Sequence, residues 1–454
     1  MDSLINLSNF YRQGNTLSYE FRLNSLRNLQ RAILNNEEAI YDALFSDLKK
    51  SKEESWSSET GQILEEIKFA IKHLHQWMKP EKVSTGLLSF PSSGKIYKDP
   101  LGVVLIIAPW NYPLQLIMVP LVGAIAAGNC IVLKPSESAP ATEKLIVKII
   151  KETFDEEYIK VVTGEGAEVV NLMMNNFRFD HIFYTGSAFV GKEIYKVAAR
   201  DLIPVTMELG GKSPCIVEKD AVIKVAARRI VLGKFLNAGQ TCIAPDYVLV
   251  HSSKKEELLE EMASAIKQFY TDQPQNSYDY GKIINKKRFT NLAAFLSEGN
   301  IHCGGKTSED SLYIEPTIIT GVTMESSVMK EEIFGPILPV IGFETSEAAM
   351  DIVRQNKNPL AFYLFTQNRN TEVEWLKQIR FGGGCINNCL LHFANKNMPF
   401  GGIGYSGFGA YHGKFTFNLF SHAKPVLKSA TWPDPGFKYP SFKGKLKWLK
   451  KVIG

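Results

Sequence analysis

From Leu101 to Leu133 the chain carries no charged side chain, a stretch long enough on length alone to cross a bilayer. Pro109, Asn111, Pro113, Pro120 and Asn129 interrupt it. Proline removes a backbone donor and favours turns, so the stretch cannot be one continuous span. Cut at those points it reads as a strand over residues 103–107, a turn, a buried helix and a second strand over 130–133. A strand that is apolar at every position is buried on both faces, which calls for helices on both sides of a parallel sheet. A chain with such a unit near its middle folds as an α/β protein.

The pattern continues on both sides. Residues 159–162, 181–184 and 205–207 are further β-rich runs, separated by helical texture and followed by Gly, Pro, Asn or Ser. In open α/β sheets those carboxyl ends are where ligands bind. A second cycle, with strands expected at 213–217, 247–250, 337–341 and 361–365, predicts a second α/β domain. Upstream, residues 17–79 read as helical: Leu26, Leu29 and Ile33 share one face, and Pro80 ends the region. No fixed-period repeat is present, which excludes a solenoid.

Composition narrows the function classes. The 454 residues are 45% hydrophobic and 22% charged, ordinary for a globular protein of two or three domains. A formal charge of +5, with no aromatic or arginine-rich nucleic-acid motif, argues against a nucleic-acid partner. Six irregularly spaced cysteines do not make a disulfide framework in a chain this long and suit a reducing cytoplasm. Cys385 and Cys389 lack a second Cys/His pair, and His73 and His75 point to different helix faces, so no metal site is expected. The start, Met1-Asp-Ser-Leu-Ile-Asn, has neither a basic nor an apolar leader segment, so no secretory signal is read there.

Chemistry is concentrated in two short runs. Cys242 lies in Asn237-Ala-Gly-Gln-Thr-Cys-Ile-Ala-Pro245, among small and polar neighbours that predict a thiol presented to a cavity. Glu208 lies in Met207-Glu-Leu-Gly-Gly-Lys-Ser-Pro214. A free thiol has a pKa of about 8.5, so only a few per cent is thiolate at neutral pH and a base is needed. A carboxylate of raised pKa suits that task, although taken alone Glu208 reads better as a surface charge or salt-bridge partner. Asn111 directly follows the first strand in Pro109-Trp-Asn-Tyr-Pro113. Its amide could donate to an oxyanion, while turn chemistry alone would also account for it.

These three segments, with Glu331-Glu-Ile-Phe-Gly-Pro336 downstream, resemble those of NAD(P)-dependent aldehyde dehydrogenases, in order from about residue 20 to 425. The short start and Ala410-Tyr-His-Gly-Lys414 are most similar to the class 3, or fatty aldehyde, branch. The resemblance implies a Rossmann-like cofactor domain (1–79 and 102–209) and a catalytic domain (210–388). It further implies an oligomerisation arm with pocket loops (80–101 and 389–424), pairing two subunits, ahead of a basic tail (425–454). It makes Cys242 the nucleophile, Glu208 the base that also activates water against the thioester, and Asn111 with the Cys242 N–H the oxyanion donors.

The usual G-x-G-x-x-G fingerprint is missing, but Thr185-Gly-Ser-Ala-Phe-Val-Gly191 follows a strand and resembles the family's variant, with Gly186, Ser187 and Gly191 bordering the pyrophosphate. By the same resemblance Lys134 and Glu137 bond the adenosine ribose, favouring NAD while leaving NADP possible. Leu209 and Glu332 serve the nicotinamide end, with Phe334 against the ring. Glu331 offers the same chemistry as Glu332 one position earlier. Tyr112, Leu116, Phe393 and Phe400 are the candidate pocket side chains and predict a hydrophobic aldehyde, medium- or long-chain or aromatic. The tail from Lys438 mixes lysines with Phe442, Leu446, Trp448, Leu449, Val452 and Ile453, suited either to peripheral contact with an anionic membrane or to packing on the protein. The rival readings are a dehydrogenase passing its thioester to coenzyme A, a cysteine esterase or amidase, and a scaffold without catalysis.

Overall fold

The computed structural model describes residues 2–86, 89–434, 436 and 439–453. The uncharged stretch forms strand Val103–Ile107, helix Gln115–Ala127 and strand Cys130–Lys134, with every residue of all three buried. The two strands are parallel neighbours, Val103 opposite Cys130 and Ile107 opposite Lys134. The helix ends where Gly128 turns left-handed at φ +89°, and a Cβ there would lie 2.5 Å from the Arg22 guanidinium. Arg22 donates from Nη1 to Ala126 O at 3.2 Å and from Nε to Thr16 O at 2.9 Å, so the buried charge closes a helix end that water cannot reach.

This unit is the centre of a six-stranded sheet. Its order is Gly407–Phe408, Val205–Glu208, His181–Thr185, Val103–Ile107, Cys130–Lys134 and Ile159–Val161. All neighbours are parallel except the short Gly407–Phe408, which returns from the C-terminal region to pair antiparallel with Val205–Glu208. Three strands run one residue further than the apolar runs suggest, ending on Thr185 and on two charged residues, Lys134 and Glu208. Both side chains therefore stand at the carboxyl edge of the sheet.

The second sheet has seven strands: Asn300–Cys303, Thr317–Thr320, Ile337–Phe343, Tyr247–His251, Pro214–Val217, Ala361–Phe365 and Gly383–Ile386 in spatial order. Its pairs are parallel apart from the edge pair Asn300–Cys303 with Thr317–Thr320. The architecture is thus α/β in both halves, a Rossmann-like first half and a second parallel-sheet half. A separate three-stranded antiparallel sheet joins Glu81–Val83, Ser92–Pro100 and Ser421–Ser429.

The C-terminal region is more divided than the expected segment boundaries. Helix Lys414–Leu419 packs back on the central helix so closely that a Cβ on Gly123 would lie 2.1 Å from Thr416 Cγ2. The last arm strand continues to Ser429, past the expected boundary at 424.

The helical start resolves into Tyr19–Asn35, Glu37–Leu48, Lys52–Ser55, a π turn over Trp56–Thr60, and Gly61–Met78. Leu26, Leu29 and Ile33 are buried together, as their spacing predicts. Among the described residues no helix is long and apolar enough to cross a membrane, and no group of three His, Cys, Asp or Glu side chains is placed to hold a metal ion. The tail carries a short helix, Leu446–Ile453, with Phe442 and Leu446 exposed. Lys438 lies outside the described residues, as do the side chains of Val452 and Ile453.

Candidate active site

The two sheets deliver Glu208 and Cys242 to the wall of one cavity. Glu208 closes strand Val205–Glu208, and its backbone is fixed on both sides: its carbonyl accepts from Gly186 N at 3.0 Å, and Gly407 pairs opposite it. The side chain is 3% exposed, and neither carboxylate oxygen has a hydrogen-bond partner among the described residues. Burial without a compensating donor raises its pKa well above the usual carboxylate range. A carboxylate held this way takes up a proton more readily than an exposed one, which suits it to act as a base.

Cys242 follows a strained turn. After helix Ile223–Phe235 the backbone is left-handed at Asn237 (φ 52°), Ala238 (φ 50°) and Gly239 (φ 75°). The two non-glycine residues each cost on the order of 1 kcal/mol in that region, so the turn must be held from outside. It is. Asn237 N donates to Glu54 Oε1 at 2.9 Å, and Asn237 Nδ2 donates to Asn111 O at 2.8 Å. Gln240 Nε2 donates to Lys282 O at 2.9 Å, and Gln240 Oε1 accepts from Ile284 N at 3.0 Å.

Thr241 Oγ1 and Tyr112 Oη share a hydrogen bond of 2.6 Å, and Tyr363 Oη donates to Ile243 O at 2.6 Å. Between these ties the half-buried thiol stands on the cavity wall. Burial first, then Glu332 and Glu208, push its pKa up to about 12, while the N–H groups of Cys242 and Ile243 pull the other way. The resting thiol is protonated, and attack requires a base to take the proton.

The cavity has a volume of about 660 Å³ and is chiefly apolar. Tyr112, Leu116, Phe393 and Phe400 all line it, as do Tyr411 and His412. Thr185 borders both this cavity and a second crevice of about 1280 Å³ over the carboxyl edge of the first sheet. Lys134, Glu137, Gly186 and Ser187 line the crevice. Lys134 Nζ meets Glu137 Oε2 at 2.8 Å, and Glu137 Oε1 accepts from Gly166 N at 3.3 Å. Ser187 caps helix Ala188–Arg200, accepting from Val190 N, so the positive end of that helix opens on the crevice. At Gly186 a Cβ would lie 2.3 Å from Tyr184 Oη, so only glycine fits this close approach. An acidic strand end for a ribose and a capped helix start for a pyrophosphate fit a dinucleotide.

Comparison with known proteins decides the family. The profile of the Aldehyde dehydrogenase family matches residues 9–426. The chain belongs to the aldehyde dehydrogenase family. The 4,4'-diaponeurosporen-aldehyde dehydrogenase of Staphylococcus aureus is 45% identical over 97% of this chain and 96% of its own. The human aldehyde dehydrogenase family 3 member B1 is 43% identical over 94% of this chain and 91% of its own. The substrate-bound structure of Staphylococcus aureus AldH superposes with a TM-score of 0.98 at 44% identity, covering 100% of this chain and 99% of that one. More distant solved structures are of an NAD-dependent member and of one complexed with NADP. This aldehyde dehydrogenase therefore oxidises aldehydes to carboxylic acids with a nicotinamide dinucleotide, and its similarity to family 3 agrees with the class 3 resemblance.

Other expected positions of the dehydrogenase fall differently. Gly191 does not line the crevice; it lies beneath, where a Cβ would be 2.8 Å from Leu209 Cδ2, so its smallness serves helix-on-strand packing. Leu209 lines the apolar cavity and not the crevice. Glu331 is exposed while Glu332 points inward, so close to Gly210 that a Cβ there would be 2.0 Å from Glu332 Oε2. Burial and then Asp246 raise Glu332 to about 8, against Gly211 N–H, Lys212 and Arg288. Phe334 is left-handed (φ 49°) and meets Trp110 of the crevice edge-on at 5.4 Å.

Asn111 is not on the cavity wall, and its Nδ2 donates to Gln240 O at 3.0 Å. One amide N–H expected for an oxyanion is therefore engaged by the cysteine loop, and the other remains. The histidine of the Ala410–Lys414 run was not among the expected site residues, yet His412 lines the cavity at φ 81° with an unpartnered, buried Nδ1. Its motif was visible, but no pattern in sequence says that a histidine will face an apolar cavity.

Proposed function

We propose that this enzyme takes hydrophobic aldehydes, medium- or long-chain or aromatic, into the apolar cavity and oxidises them on Cys242 with Glu208 as the base. The observation that carries the reading is that an unpaired buried carboxylate and a thiol share one apolar cavity joined at Thr185 to the cofactor crevice. The thiol sulfur adds to the carbonyl carbon as its proton passes to Glu208. The resulting oxyanion is held by the Cys242 N–H; the Asn111 amide, behind the cavity wall and donating to Gln240 O, would have to turn toward the cavity to assist. Collapse expels hydride and leaves a thioester; Glu208 releases the thiol's proton to solvent, then takes a proton from the water that attacks the thioester and returns it to the departing Cys242 sulfur, freeing the acid. When bound, the nicotinamide cofactor supplies the acceptor for that hydride.

Lys134 and Glu137 would hold the adenosine ribose, and the Glu137 carboxylate favours NAD over the extra phosphate of NADP. Gly186 and Ser187 would take the pyrophosphate, Glu332 the nicotinamide ribose, and Phe334 would pack at the ring. Pairing through the three-stranded arm would make a homodimer, the cysteines suit a cytoplasmic setting, and the lysine-rich tail helix would rest on anionic lipid.

Turnover of short, aromatic and long-chain aldehydes with each cofactor, with and without coenzyme A, tests the proposal. Higher kcat/KM for long or aromatic substrates, acid as product without coenzyme A, and its loss in Glu208→Gln but not in Glu332→Gln are expected. A preference for short polar aldehydes, or strict dependence on coenzyme A, would overturn it.

A further inference from the structure

A strained loop that carries a nucleophile is only as well placed as the contacts that hold it. The turn before Cys242 has its first left-handed residue at Asn237, and the backbone N–H of that residue donates to Glu54 Oε1 at 2.9 Å. Glu54 belongs to the helical start of the chain, on the short helix Lys52–Ser55. It is 7% exposed and sits beside a second buried group, the pair Lys50–Glu59 at 2.6 Å, whose side chains are both fully buried.

That pair serves the other half of the site. Lys50 Nζ donates to Asn111 O at 3.2 Å, and Glu59 Oε2 accepts from Leu114 N at 2.9 Å and Gln115 N at 3.1 Å, capping the helix that follows the Asn111 turn. The π turn over Trp56–Thr60 carries Glu59, and the wider turn is a common way to re-aim a side chain. Residues 50–59 thus reach both the turn of the proposed oxyanion donor and the turn of the proposed nucleophile. Three buried charged side chains in ten residues are costly unless each has a partner; Lys50 and Glu59 pair with each other, and all three also bond backbone groups of the Asn111 and Asn237 turns and the helix start between them.

We propose that Glu54 is a positioning residue for Cys242: by accepting the Asn237 N–H it fixes the left-handed turn that aims the thiol into the cavity. It touches neither substrate nor cofactor and acts through Asn237. The inference rests on Cys242 being the nucleophile. An oxygen at the right distance is what the turn requires, and the negative charge is not.

Two conservative variants of the full chain separate these requirements. Glu54→Gln keeps the acceptor oxygen and removes the charge; Glu54→Asp keeps the charge and withdraws the oxygen by one methylene. The readouts are the rate of iodoacetamide alkylation of the cofactor-free enzyme, located by peptide mass spectrometry, together with kcat, cofactor KM and the thermal midpoint. Glu54→Gln is expected within about 3-fold of wild type in alkylation and kcat. Glu54→Asp is expected to lose on the order of 10-fold in both, with cofactor KM and thermal midpoint unchanged. Equal behaviour of the two variants, or a loss in Glu54→Asp matched by a fall in thermal midpoint, would overturn the positioning role. Activity surviving full alkylation of Cys242 would instead overturn the reading of the nucleophile.

Discussion

Replacing Glu208 with glutamine should make the protein more stable with rising pH while it loses activity. Glu208 is 3% exposed with both oxygens unpartnered among the described residues, and burial raises its pKa well above the ordinary value. In the unfolded chain a glutamate titrates at about 4.3. Between that value and the raised folded-state value, the folded protein holds one more proton than the unfolded chain. Stability is fully present below the unfolded pKa and is lost as pH rises through the window, by about 1.4 kcal/mol per pH unit.

Glutamine has the same shape and no proton to lose, so this slope disappears. For a chain of this size the difference in thermal midpoint, variant minus wild type, should widen by on the order of 1–2 °C per pH unit from about pH 5 upward. Differential scanning of both proteins in matched buffers reads it directly. Turnover should fall by about 10²- to 10⁴-fold, the usual worth of a general base. Parallel midpoint curves would refute the reasoning, because they would mean that Glu208 ionises in the fold as easily as in water.

Lys50→Met should cost about 3–5 kcal/mol, since it leaves Glu59 charged and buried without its cation; a lowered thermal midpoint checks it. Gly210→Ala should displace the Glu332 carboxylate, which a Cβ would approach to 2.0 Å, and raise cofactor KM by about 10-fold. Equilibrium cofactor titration followed by protein fluorescence would report the same weakening independently of turnover.

Much of the frame was legible because its signals are local. An apolar strand such as 103–107 states its own burial, and the glycine and proline after it state its end. Carrying Cys130–Lys134 and Val205–Glu208 one residue further needs tertiary pairing, which sequence texture does not show, yet that residue is what puts Lys134 and Glu208 at the carboxyl edge. Strand Ser92–Pro100 is only half-covered and lacks the period of a core strand, so residues 80–101 were assigned to an arm through the resemblance and not through their own pattern.

Gly191 was expected at the dinucleotide from the fingerprint Thr185–Gly191 and Leu209 from the resemblance; their close approach to each other is a packing relation that neither signal shows. Glu54, Lys50 and Glu59 looked like charges on a solvated helical surface. Their burial follows from docking against the Asn111 and Asn237 turns far along the chain, a fact that no window of sequence contains.

The central claim is that the substrate is carried on the sulfur of Cys242, and a trapped intermediate tests it most directly. Wild-type enzyme mixed with a hydrophobic aldehyde and cofactor, quenched in acid during turnover and digested, should yield the peptide containing Cys242 heavier by one acyl group. Product formation with that peptide unmodified, or an acyl mass on another side chain, would contradict the account.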